Sequence, residues 1–156
     1  MQQNRRLAPH FWLSEFTFSQ DATRQGLRND PPAAAIANLE RLALVLEDVR
    51  AVLGNVPILI SSGYRSPQVN RIVGGSEKPP SAHLTGRAVD FAAPSFGTSR
   101  QVCQRIIDAG IVFDQLIDER NWTHLGIALT NAKPRQDVRT AFFQPGAKTE
   151  YLPGLV

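Results

Sequence analysis

The sequence contains one cysteine, Cys103. A lone thiol excludes an intramolecular disulfide and any thiolate-rich zinc site, so a metal in this chain would have to be held by histidine and carboxylate. Long apolar runs are missing as well. No stretch approaches the ~20 apolar residues that span a bilayer, and no membrane insertion is expected. The opening, Met1-Gln2-Gln3-Asn4-Arg5-Arg6, is basic but lacks an apolar segment behind it and does not read as a secretory signal. If the substrate lies outside the cytoplasm, another route must take the protein there. Arg5-Arg6 is the only basic doublet among 17 basic and 14 acidic side chains. A nucleic-acid reader more often shows a basic stripe interleaved with aromatics, so no nucleic-acid partner is expected. The net charge of +3 implies at most attraction to polyanions in general, an anionic cell wall included. Repeats, low-complexity tracts and long linkers are absent too. What remains is an ordinary globular composition over 156 residues, read as one domain with an N-terminal docking segment (1–30) and a loop-rich tail (131–156).

Within that span, Phe11, Trp12, Phe16 and Phe18 form an aromatic cluster, and Ser19 is placed to cap a short helix ending at Gly26. Pro31-Pro32 opens the clearest helix, which runs to about Leu53 and stops at Gly54. Its apolar stripe is Ile36, Leu39, Ala43, Leu46, Val49 and Leu53. From Val56 the period changes to that of a buried strand through Ser61, followed by a polar turn and a short helix from Pro67 to Val73. Further strands are expected over 87–92, 114–118 and 122–129, with a helix over 99–109 and a short strand at Thr140–Phe143. Helices and strands mix without regular βαβ alternation, which predicts an α+β fold.

Three polar residues stand out in this pattern. Along the strand 87–92, Ala88, Asp90 and Ala92 share a face, so a single carboxylate projects between small neighbours. Along the last long strand, His124 projects from a face otherwise kept clear by Gly126 and Ala128. His83 lies in the segment before Asp90, where Gly86 permits a sharp turn into the strand. Two imidazoles and one carboxylate suit zinc and leave a fourth position for water, although the alternation alone does not choose zinc over magnesium or manganese. Each of the three, taken singly, also has an ordinary structural reading as a loop, capping or sheet residue.

The string Ser62-Gly63-Tyr64-Arg65-Ser66-Pro67, with Asn70 and Gly74-Gly75, precedes Ser81-x-His83-x-x-Gly86-x-Ala88-x-Asp90. Together with Phe113–Glu119 and Trp122-Thr123-His124, it resembles the zinc D-alanyl-D-alanine carboxypeptidase family over about residues 10–130. Leu13-Ser14-Glu15-Phe16 and Asn29-Asp30-Pro31 are similar to segments of that family's phage and prophage branch. The resemblance implies a small α+β domain with an antiparallel sheet flanked by helices, the fold shared with hedgehog-like proteins. It implies zinc held by His83, Asp90 and His124, and peptidoglycan stem peptides as substrate. Arg65 matches the arginine that steadies the developing oxyanion, and Ser81 matches a position near the ligands that touches substrate. Some relatives place the general base three residues before the last histidine, which here is Asn121, an amide unable to accept the proton. The phage-type pattern points instead to Glu119, with Asp118 in reserve. His10 matches no ligand, and Cys103 reads as packing.

The resemblance therefore implies a peptidoglycan peptidase, either terminal or internal in its cut, that a phage or prophage uses at lysis or at the start of infection. It would be made in the host cytoplasm and would reach the wall after release or as part of the virion, alongside virion proteins. As a free enzyme it is expected to be a monomer. A non-catalytic wall-binding or virion-structural module of the same fold is the alternative, with Asn121 as its support.

Overall fold

Proline and glycine mark the ends of the longest element. In the computed structural model, which describes residues 2–156, helix α3 (Ala33–Val52) begins directly after Pro31-Pro32, and Gly54 follows its end with φ at 82°. Leu39, Ala43, Leu46 and Val49 of the expected stripe are fully buried, and Leu42 joins them, so the apolar face is wider than one narrow seam. Ile36 is only half-buried. Burying each leucine side chain fully stabilises the fold by roughly 1.5–3 kcal/mol.

Two compact units make up the chain. One comprises the residues up to Glu47 with Ile60–Val89, the other Asp48–Leu59 with Asp90–Val156. In the first, β1 (Arg6–Ala8) and β2 (Phe11–Trp12) form a small antiparallel ribbon, followed by α1 (Leu13–Thr17) and α2 (Gln20–Arg24). The aromatic cluster divides. Phe11 and Phe16 are buried with ring centroids 6.1 Å apart, whereas Trp12 and Phe18 lie largely in solvent. Ser19 caps α2 by accepting the Ala22 N–H, as expected from the sequence. Helix α4 (Pro67–Ile72) is capped in the same way by Ser66.

In the second unit, α5 (Ser99–Asp108) carries a reciprocal cap. Thr98 Oγ1 accepts the Gln101 N–H, and Gln101 Oε1 accepts the Thr98 N–H. Val102, Cys103 and Ile106 form its buried face, and burial pushes the Cys103 thiol up to about 12, consistent with packing rather than chemistry. The strands of this unit are β5 (Gln115–Asp118), β6 (Thr123–Gly126), β7 (Asp137–Phe142) and β8 (Glu150–Pro153). With β3 (Leu59–Ser62) and β4 (Ala88–Ala92) they form a six-stranded sheet ordered β3-β4-β6-β5-β7-β8.

The α+β expectation describes this chain, with four differences in detail. The sheet is mixed, because β7 runs parallel to β5. Strand β3 sits at one edge of the sheet and alternates outward, leaving Leu59 54% exposed, so it is not the buried strand expected over 56–61. Strand β6 stops at Gly126 rather than Leu129, because Gly126 pairs with Gln115, the first residue of its four-residue partner β5. Finally, the tail is not all loop. Strand β7 is longer than Thr140–Phe143 at its start, and β8 pairs antiparallel with it.

Candidate metal centre

Asp90 occupies the middle of a strand whose two faces are both covered. Ala88, Val89 and Phe91 are fully buried, and Asp90 is buried with them. A carboxylate in such a place needs a partner, since an unpaired buried charge is strongly disfavoured. It finds one in His124 of β6, whose Nδ1 lies 2.9 Å from Asp90 Oδ1, a separation suited to a shared proton or a shared cation.

His83 is placed by a 3₁₀ turn (Ala82–Thr85). Ser81 Oγ accepts the His83 N–H at 3.3 Å, and Gly86 ends the turn with φ at 71°. A side chain at Gly86 would also meet the Ala35 carbonyl oxygen at 2.5 Å, so both conformation and space require glycine there. The His83 ring is 3% exposed, and its Nδ1 lies 2.7 Å from the Gly63 carbonyl oxygen. A carbonyl can only accept, so Nδ1 donates its proton there, and Nε2 is the ring nitrogen that would serve a metal.

His83, Asp90 and His124 each offer a ligand atom, and these atoms all lie within 4.8 Å of one another. The donor set is two nitrogens and one oxygen, which matches a zinc site of three protein ligands and one open position. A tetrahedral ion with bonds of about 2.1 Å would place its ligand atoms about 3.4 Å apart, within reach of small side-chain rotations from the observed spread. The residues fit the ion.

The strand register separates the two candidate bases. Ile117 of β5 faces His124, and Asp118 faces Thr123. Cross-strand partners share a face, so Asp118 lies on the side opposite His124, and Glu119, one residue on, returns to the His124 side. Asp118 is fully buried, with Oδ1 accepting the Arg120 N–H at 2.9 Å. Glu119 is also buried. Its carboxyl is raised from 4.5 to about 7, mainly by desolvation and further by Asp90 and Asp118, while His124 and a Tyr151 hydrogen bond oppose the shift.

A tight turn holds Glu119 in place. Its N–H bonds to the Trp122 carbonyl at 3.0 Å, and its own carbonyl accepts the Asn121 N–H at 2.8 Å. That γ-turn puts Arg120 at φ 68°, an uncommon conformation for a residue with a side chain. Arg120 is tied down on several sides: Nε donates to the Ala141 carbonyl at 3.1 Å, and the guanidinium carbon sits 4.5 Å from the centre of the Phe142 ring. Asn121 is exposed at the turn.

The remaining candidates lie near His83. The Arg65 N–H donates to the His83 carbonyl at 3.1 Å, and Arg65 Nε donates to Ser62 Oγ at 3.1 Å. Ser81 spends its hydroxyl oxygen on the turn that presents His83. Two participants escaped the sequence reading. Gly63 carries the carbonyl that lies against His83 Nδ1, and Tyr151 of β8 and Glu119 shift one another's titration. A backbone carbonyl leaves no residue-type signal, and Tyr151 lies in a tail whose strands are held by non-local pairing.

No curated protein matches the chain. A family model described as Peptidase M15 matches residues 9–126, a stretch that contains Arg65, Ser81, all three candidate ligands and Glu119. M15 peptidases are zinc enzymes, in keeping with the donor set described above. The chain belongs to the peptidase M15 family.

Proposed function

We propose that this chain is a zinc-dependent peptidase that hydrolyses peptide bonds in peptidoglycan stem peptides and serves a phage or prophage in degrading the cell wall. The observation that carries the reading is the convergence of His83, Asp90 and His124 within a peptidase family match. In this reading those three residues hold zinc, Glu119 is the general base, Arg65 steadies the oxyanion and Ser81 contacts substrate.

Bound zinc would supply a Lewis acid that polarises the scissile carbonyl and makes water acidic enough to ionise near neutral pH. Glu119, buried and on the His124 side of the sheet, takes the proton from the attacking water on a carboxylate oxygen and returns it to the leaving amine. Burial holds this carboxyl up near 7 in the metal-free protein, and a dication bound beside it would favour the carboxylate form that accepts the proton. The Arg65 guanidinium presents a planar array of N–H donors suited to the oxygen that gains charge. His83 contributes an imidazole whose ring orientation is set by the Gly63 carbonyl. The protein acts on the wall after release from the host or as a virion component, and as a free enzyme it works as a monomer.

Purified wall digested with wild-type chain and with Glu119→Gln, followed by mass spectrometry of the fragments, tests this directly. The expected result is zinc-dependent release of cut stem peptides by wild type, abolished in the variant, with fragment masses that distinguish a terminal from an internal cut. Wall binding without any released peptide in either protein would favour the non-catalytic module instead.

A further inference from the structure

The family match ends at residue 126, yet the chain continues through β7 and β8, and this hairpin carries Tyr151. Strand β5 pairs with β7 so that Asp118 lies opposite Thr140, and by alternation the residues that follow each, Glu119 and Ala141, turn to the other face. Strand β7 pairs with β8 so that Ala141 lies opposite Tyr151. Residues opposite one another project from the same face. Glu119, Ala141 and Tyr151 therefore stand in one row across three strands. Adjacent strands are about 4.8 Å apart, so the outer two members of the row are separated at the backbone by about 9–10 Å. Only a methyl group stands between them, and Ala141 is fully buried. The phenol and the carboxyl act on one another across it, Tyr151 lowering the proton affinity of Glu119 and Glu119 raising that of Tyr151. Tyr151 itself is 41% exposed, which is a poor position for a core residue and a suitable one for a side chain at the rim of a site.

We infer that Tyr151 is a positioning residue for Glu119, reaching over Ala141 to orient the carboxylate, and that the hairpin β7–β8 is part of the hydrolytic site. The inference rests on Glu119 acting as the general base. One carboxylate oxygen is occupied by the phenol, and the other is directed to the reacting water. Tyr151 acts only through Glu119. The side chain needs no proton of its own in the reaction.

Tyr151→Phe keeps the ring and removes only the donor. In the zinc-loaded full-length chain digesting defined stem peptides, kcat should fall about tenfold while KM stays within about twofold, the split expected for a contact that matters in the transition state. Zinc affinity, measured by chelator competition, should be unchanged. A second readout needs no zinc. In metal-free protein, Tyr151→Phe should lower Tm in the wild-type background and have no effect in Glu119→Ala, because the two residues share one interaction. Full kcat in Tyr151→Phe together with additive melting effects would overturn the inference, while loss of activity in Glu119→Gln would leave the base reading standing. Full activity in Glu119→Gln, or no zinc-dependent hydrolysis by wild type, would sink the base reading and the positioning role with it.

Discussion

Replacing Gly63 by alanine is the most revealing single perturbation of the centre, because it adds one methyl group and no charge. An ideal Cβ at Gly63 would lie 2.4 Å from the Phe16 carbonyl oxygen and 2.7 Å from Phe16 Cα. Both are backbone atoms and cannot rotate away. The Phe16 carbonyl is also engaged by the Tyr64 N–H at 2.7 Å, so the segment is pinned where the methyl must go. Restoring ordinary contact requires a movement of about 1 Å, and overpacking of this kind costs roughly 1–3 kcal/mol. The Gly63 carbonyl holds His83 Nδ1 at 2.7 Å, and a retreat of that size stretches the bond beyond useful length. His83 then loses its fixed tautomer and ring orientation, a type of change that weakens metal affinity by about 10–100-fold. Zinc affinity measured by competition with a chromophoric chelator, alongside Tm of the metal-free protein, reads both effects. A Gly63→Ala protein that melts several degrees lower and binds zinc at least tenfold more weakly is the expected outcome. Wild-type zinc affinity in a folded Gly63→Ala protein would refute the proposition that this carbonyl orients the ligand.

Other outcomes follow from the register and the buried carboxyls. Asp118→Asn should retain hydrolysis within about threefold, since Asp118 faces Thr123 and not His124. A loss matching that of Glu119→Gln in the same peptide digestion would contradict the assignment of faces. The raised Glu119 carboxyl makes a stability prediction with a definite sign. Between pH 4.5 and about 7 the folded state binds the proton more tightly than the unfolded chain does. The resulting stabilisation is complete below pH 4.5 and disappears as pH rises through about 7. Thermal melts of metal-free protein across that window should show Tm declining toward neutrality, with a shallower decline in Glu119→Gln. Parallel declines in the two proteins would assign the effect to other groups.

Much of this arrangement was legible in the residues because local chemistry determined it. The α3 stripe from Leu39 to Leu53, the Ser19 cap, and the proline and glycine that end α3 are all short-range effects. The Ser81–Asp90 string with His124 pointed to the group of residues that could hold a metal for a similar reason, since His83 and Asp90 are ordered by a turn and strand only a few residues apart. Long-range pairing was not legible. Strand β8 includes Pro153 and follows a glycine-containing loop, and only its pairing with β7 makes it a strand. Neither the parallel β5–β7 pair nor the row from Glu119 through Ala141 to Tyr151 leaves any mark within a sequence window. The face on which Asp118 lies was likewise open until the β5–β6 register put Ile117 opposite His124 and Asp118 opposite Thr123.

The central claim is that His83, Asp90 and His124 together hold one divalent cation. Cobalt substitution followed by visible absorption spectroscopy tests it most directly, with His83→Ala, Asp90→Ala and His124→Ala beside the wild type. The account predicts one cobalt per chain and the intense visible bands of a four-coordinate site in wild type, with each alanine variant folded but losing the bands and most of its metal affinity. Equal binding and an unaltered spectrum in any of the three variants would contradict it.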